Sequence, residues 1–121
     1  MTNRVVEIKP SKPHTAQDGA KTILTPEESL IYQTSEKSQA LFNEAINQRK
    51  TEIILDCKAV TFMDSAGLEL LVKLDEDLRK RGGMLKVVNL NAVCKDILYA
   101  TRLTNVLHVY KDIHEAIRNG L

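Results

Sequence analysis

The sequence predicts an α/β layer fold, a small mixed β-sheet of four to five strands flanked by about four helices. Three observations carry this. Short apolar or β-branched runs alternate along the chain with longer stretches whose apolar residues recur at three- and four-residue spacing. Helix-starting and helix-stopping residues stand at the changeovers. Strands and helices that alternate in order form layers rather than an all-α or all-β packing. At 121 residues, 43% hydrophobic and 27% charged, the chain has the size and balance of one globular domain, read as residues 1–121.

The elements follow in order. Val5–Ile8 is β-branched and reads as an edge strand. Lys9-Pro10-Ser11-Lys12-Pro13 and Gln17-Asp18-Gly19 break regular structure, so residues 9–20 read as an exposed loop. Thr22-Ile23-Leu24 is a second strand, closed by Pro26, and Leu30-Ile31-Tyr32 reads as a short extended piece. A helix is expected over 35–48, where Leu41, Phe42, Ala45 and Ile46 make one apolar stripe and Thr34 or Ser35 caps the start. Glu52–Cys57 is almost continuously apolar, the pattern of a central strand covered on both faces.

The next helix runs from Ser65 to about Arg81, with Leu68, Leu71, Val72, Leu74 and Leu78 toward the core and Gly82-Gly83 as its stop. Asp75–Arg79, Glu76–Lys80 and Asp77–Arg81 are acid-to-base pairs at i,i+4, each worth about 0.2–0.5 kcal/mol. Leu85–Leu90 is a strand, and Asn91 caps a helix to about Thr101. Leu107–Tyr110 is a last strand. Asp112 and Glu115 have capping-box spacing at the start of a closing helix that ends at Gly120.

Seventeen basic and sixteen acidic residues give a net charge of +1. Such balance offers no electrostatic footprint for nucleic acid or an anionic membrane, and points to a protein partner or small ligand. No apolar run reaches the roughly 18 residues that span a bilayer, and Met1–Lys9 lacks the apolar stretch of a signal peptide. A cytoplasmic location without membrane insertion is the expectation. Cys57 and Cys94 lie in apolar patterns and read as buried free thiols. His14, His108 and His114 lack metal-site spacing, so no metal and no cofactor are assigned.

Function concentrates where the central strand meets its helix, at Val60-Thr61-Phe62-Met63-Asp64-Ser65-Ala66-Gly67-Leu68. Val60 and Phe62 alternate as if holding the connection to the core. Ser65 at a helix start admits two readings, a cap for orphan N–H groups or a hydroxyl offered to a kinase. Gly67, costly in a first turn, is bare either for close packing or to let a partner approach. A phosphate on Ser65 would face the positive end of the helix dipole and bring about two negative charges to the surrounding surface.

These residues resemble the phosphorylation-site motif of the STAS domain, in the branch of bacterial anti-sigma factor antagonists. Ile53-Ile54-Leu55-Asp56 before the motif, Gly82–Val88 after the helix, and Ile97-Leu98 with Leu103–Leu107 extend the resemblance over residues 50–118. It implies a single STAS-like domain that is not an enzyme. In such a protein the unphosphorylated form binds an anti-sigma factor that is also a serine kinase, and so frees a sigma factor. Phosphorylation of Ser65 releases the complex, and a PP2C-type phosphatase resets it. The resemblance assigns Ser65 as phosphoacceptor and Asp64, Ser65, Ala66 and Gly67 as the partner-binding surface. Ala66 stands where the family often has a second hydroxyl, and residues 25–32 do not align with the family's Gly-Glu-Leu-Asp-like stretch.

Three other readings stand beside it: an accessory STAS subunit of a membrane lipid ABC transporter, a stressosome-type scaffold, and a hydrolase with Ser65 as nucleophile. The last lacks the first glycine of a nucleophile elbow, since Met63 occupies that position, and has no local histidine base.

Overall fold

The computed structural model describes residues 4–8 and 21–119. The segment 9–20, read as an exposed loop, lies outside the described residues. Five strands form one sheet in sequential order: β1 (Arg4–Ile8), β2 (Lys21–Thr25), β3 (Glu52–Asp56), β4 (Met84–Val88) and β5 (His108–Tyr110). β1 runs antiparallel to β2, and the remaining pairs are parallel, with Ile54 opposite Ile23 on one side and Lys86 on the other. The sheet is mixed and β3 is central, as the apolar run predicts.

Topology then fixes where the helices lie. Parallel neighbours need crossovers, and crossovers are right-handed. With strands added always in the same direction, α1 (Ser35–Asn47), α2 (Ser65–Lys80) and α3 (Ala92–Ala100) fall on one face. There Leu24, Ile53, Leu55, Leu85 and Val87 meet Leu41, Phe42, Leu71, Leu74, Leu78 and Leu98. Among the described residues only α4 (Ile113–Arg118) covers the opposite face, where Ala116 packs with Ile23, Ile54 and Val88.

Local signals act largely as the sequence states them. Asn91 accepts from the Cys94 N–H at 2.7 Å and Asp112 from the Glu115 N–H at 2.8 Å. The Glu115 carboxylate takes the N–H of Lys111, one residue outside the expected capping box. After α2, Gly82 has φ +77, its N–H bonds to Arg79 and that of Gly83 to Leu78, the paired bonds of a Schellman stop. Thr34 stands at the start of α1 but does not cap it, because its hydroxyl donates to the Ser29 carbonyl at 2.6 Å. Tyr32, read as extended, begins a 3₁₀ turn over Tyr32–Thr34. Cys57 and Cys94 are buried free thiols, and burial pushes both above the usual thiol range, Cys57 also through neighbouring Cys94 and Asp56.

Lys86 is the residue the sequence reading passed over. It is fully buried in β4, on the α4 face of the sheet. Its ammonium lies 2.8 Å from Glu52 Oε2, donates to the Ala116 carbonyl at 2.8 Å, and sits 5.7 Å from the centre of the Tyr110 ring. The cation thus serves the carbonyl end of a six-residue helix too short to be stable alone. Removing one member of a buried pair strands the other charge. Lys86→Met should therefore lower unfolding free energy by about 3 kcal/mol in urea titration, and Lys86→Met with Glu52→Leu should recover most of the loss. A single-variant cost near zero would show that α4 is held by apolar packing alone.

Candidate functional site

The loop from β3 to α2 is pinned to the core at three points. Cys57, Val60 and Met63 are buried, and the Cys57 N–H bonds to the Val88 carbonyl at 2.9 Å. Phe62, expected to face the core with Val60, is instead 48% exposed. A three-residue step between Val60 and Met63 replaces the alternation because the loop turns after Cys57, where Val60 N–H bonds to the Cys57 carbonyl.

A second segment closes on this loop from 30 residues upstream in sequence. Leu30 pairs with Met63 as an isolated parallel bridge, with Leu30 N–H to Phe62 O at 3.1 Å and Asp64 N–H to Leu30 O at 3.2 Å. Ser29 and Thr61 share a hydroxyl–hydroxyl bond of 2.8 Å, and Asn91 Nδ2 donates to the Thr61 carbonyl at 3.1 Å. The placement of this segment is set by backbone bonds and by the Ser29 hydroxyl, which also accepts from the Phe62 N–H at 3.2 Å, and none of these partners is marked by a local sequence pattern.

Asp64 joins the two segments. Its Oδ1 accepts from the Gly67 N–H at 3.0 Å, making it the N-cap of α2, and its Oδ2 accepts from the Tyr32 N–H at 2.9 Å. These donors, Tyr32 first and then Gly67, hold its carboxyl below the usual carboxylate range. The cap is therefore Asp64, not Ser65. Ser65 is the first residue of α2, exposed, with its hydroxyl not given over to capping. Ala66 follows half-buried.

Gly67 is buried, and a Cβ built on it would stand 1.9 Å from the Leu30 carbonyl oxygen and 2.9 Å from Leu30 Cβ. Close packing of helix on bridge is why the position is bare. The structure thus brings Asp64, Ser65 and Ala66 to one surface and sets Gly67 beneath them. Beside them stands Tyr32, 73% exposed. On α2 the core face is narrower than the spacing suggests. Leu71, Leu74 and Leu78 are buried, whereas Leu68 and Val72 are half-buried and line an open groove that begins at Ser65.

Of the expected ion pairs, Asp75–Arg79 forms at 2.9 Å, and Arg79 also donates to the Val106 carbonyl. Asp75 is buried, which raises its carboxyl, and Arg79 pulls it partly back. Arg81 instead donates to the carbonyl of Ile46. His108 lies on β5 and His114 on α4, away from the α2 start. Among the described residues no group of three His, Cys, Asp or Glu is placed to hold a metal, and no helix is long and apolar enough to cross a membrane.

Comparison with known proteins agrees with this geometry. The STAS domain family model matches residues 11–116. An anti-sigma F factor antagonist of Paenibacillus polymyxa is 29% identical over 82 residues, covering 67% of this chain and 70% of that protein. Among solved structures, a Thermotoga maritima protein described as an anti-sigma factor antagonist superposes with a TM-score of 0.77 at 25% identity, covering 81% of this chain and 85% of that one. The anion transporter SLC26A9 carries a similar segment, with a TM-score of 0.66 at 25% identity over 80% of this chain and 19% of the transporter.

Two outcomes follow from the site. Gly67→Ala should cost about 1–3 kcal/mol through overpacking against Leu30, seen as a lower melting temperature, while the folded fraction keeps its binding surface. Unchanged stability would mean that Leu30 moves aside freely. Asp64 has a lower pKa folded than unfolded, so its contribution is present above about pH 3.9 and fades as pH falls through the folded value. Asp64→Ala should melt below the parent at pH 7, and the gap should narrow in acid. A gap independent of pH would assign the effect to something other than the ionised carboxylate.

Proposed function

The chain belongs to the STAS domain family, and from that premise we propose that it acts as an anti-sigma factor antagonist switched at Ser65. In this reading the unphosphorylated form binds an anti-sigma factor that is also a serine kinase, and binding frees a sigma factor in the cytoplasm. The kinase transfers the γ-phosphoryl group of ATP to the Ser65 hydroxyl and the complex separates. A PP2C-type phosphatase then hydrolyses the phosphoserine and restores the binding form. The chain supplies a surface and an acceptor rather than catalysis.

The observation that carries this reading is the division of labour at the α2 start. Helix-capping falls to Asp64, which leaves an exposed serine hydroxyl at the first helical position. A phosphate there meets the positive end of a sixteen-residue helix, so the fold tolerates it. The cost falls on the interface instead. The phosphate adds about two charges beside an aspartate already held ionised, on a surface that a bound partner must desolvate. Asp64, Ser65 and Ala66 form the contact, and Gly67 lets the helix pack closely enough to present them.

A second reading, an accessory subunit of a membrane lipid ABC transporter, has as its support only that a similar segment occurs in a membrane transporter of another kind, the anion transporter SLC26A9. Capture from the native cytosol with mass spectrometry separates the two, by recovery of an ATP-binding serine kinase or of a transporter ATPase.

With the kinase and ATP, one phosphate per chain should appear, at Ser65, since Ala66 offers no adjacent acceptor. Ser65→Ala should take up none and still bind. Ser65→Glu should bind about tenfold or more weakly by titration calorimetry, with melting temperature little changed. Phosphate found elsewhere, or Ser65→Glu binding like the parent, would overturn the switch.

A further inference from the structure

The groove beside Ser65 has features that the phosphorylation switch alone does not require. It is open, has a volume of ≈ 700 Å³, and is floored by Leu68 and Val72 with Thr101 and Leu103 on the opposite wall. Ser65 stands at its mouth, and the α2 wall continues through Leu68 and Val72 to Glu76 at steps of three and four residues. Twelve residues of helix, eleven rises, make a trough of roughly 16 Å, about three turns. Beyond it Arg79 ties α2 to Val106.

We propose that this groove receives an amphipathic helix of the partner protein, laid along α2 with one end at Ser65. The inference rests on the reading of the chain as a kinase-binding antagonist, and names the surface and shape of that contact. A small ligand is the poorer fit, because the trough is open and has no cluster of convergent polar groups. Rows of side chains at three- and four-residue steps are the surface into which another helix packs. The apolar pattern supports this, since Leu68 and Val72 belong by spacing to the core yet are only half-buried among the described residues.

The rim selects the occupant. Glu69, Lys73 and Glu76 alternate in sign along the groove at one-turn intervals. A second copy docking with its α2 antiparallel about Lys73 would set Lys73 beside Lys73 and bring Glu69 near Asp77 and Glu76, like charge beside like. A different helix carrying base, acid and base at the same steps meets each rim charge with its opposite. The end of such a helix lies over Ser65, so a phosphate there obstructs the mouth of the groove. That couples the modification to release without any change in the fold.

The test uses the full chain with Ser65→Ala, held in the binding form, and the purified serine kinase that the parent chain captures from its native cytosol. Val72→Glu and Thr101→Arg should each weaken binding about tenfold or more with melting temperature retained. Thr101 is exposed, so its variant reports even if Val72→Glu fails to fold. A photo-cross-linker at position 72 should label a helical segment of the kinase. Cross-linking to a second copy or to a non-helical segment, or both variants binding within about twofold of the parent, would overturn the groove assignment alone. A parent chain that captures no kinase would overturn the reading on which it rests, and this inference with it.

Discussion

The Asp64 carboxylate gives one oxygen to the N–H of Gly67 in its own helix and the other to the N–H of Tyr32, a residue 32 positions away in sequence. The Leu30–Met63 bridge lies directly beneath, and Gly67 permits the approach because any side chain there would collide with the Leu30 carbonyl. The start of α2, the β3–α2 loop and the segment before α1 are therefore one hydrogen-bonded unit. A short charged side chain is well suited to that junction, since charge-assisted bonds to backbone N–H groups are stronger than neutral ones. By taking the cap, Asp64 also leaves the neighbouring hydroxyl available.

The same arrangement would let a charge be added at Ser65 without weakening the helix. Ser65 begins α2, whose far side buries Leu71, Leu74 and Leu78 under the sheet. The helix is anchored by that core and by its Schellman stop, not by its first residue. Charge added at Ser65 is felt by whatever docks there more than by the fold. The proposed contact surface and the stabilising core occupy opposite sides of one helix.

The sheet shows a different asymmetry. Sequential parallel strands send three crossover helices to one face, and among the described residues the other face is left to a six-residue helix. Apolar burial by Ala116 and Ile113 is modest there. The buried Lys86 ammonium compensates, joining β3 through Glu52 to the carbonyl end of α4. Burial of a lysine is favourable only where its charge is matched, and here an acid, a carbonyl and an aromatic face all converge on it.

The sequence by itself determined the layer architecture, the central strand, the caps at Asn91 and Asp112, the stop at Gly82-Gly83, and the motif around Ser65. Each rests on chemistry within a few residues, such as an apolar period, a side chain accepting from its own first turn, or a glycine free to take positive φ. Arg49 and Arg102 follow helix ends with φ of 61 and 63, and were illegible because arginine carries no such signal. Only the tertiary structure decided that Asp64 rather than Ser65 is the cap, that Gly67 is bare against Leu30, and that Phe62 and Val72 face outward. It alone placed Lys86 under α4 and the segment around Leu30 beside the motif. Those outcomes depend on which groups from distant parts of the chain arrive at the same point, and no local pattern encodes a meeting between residues 30 positions apart.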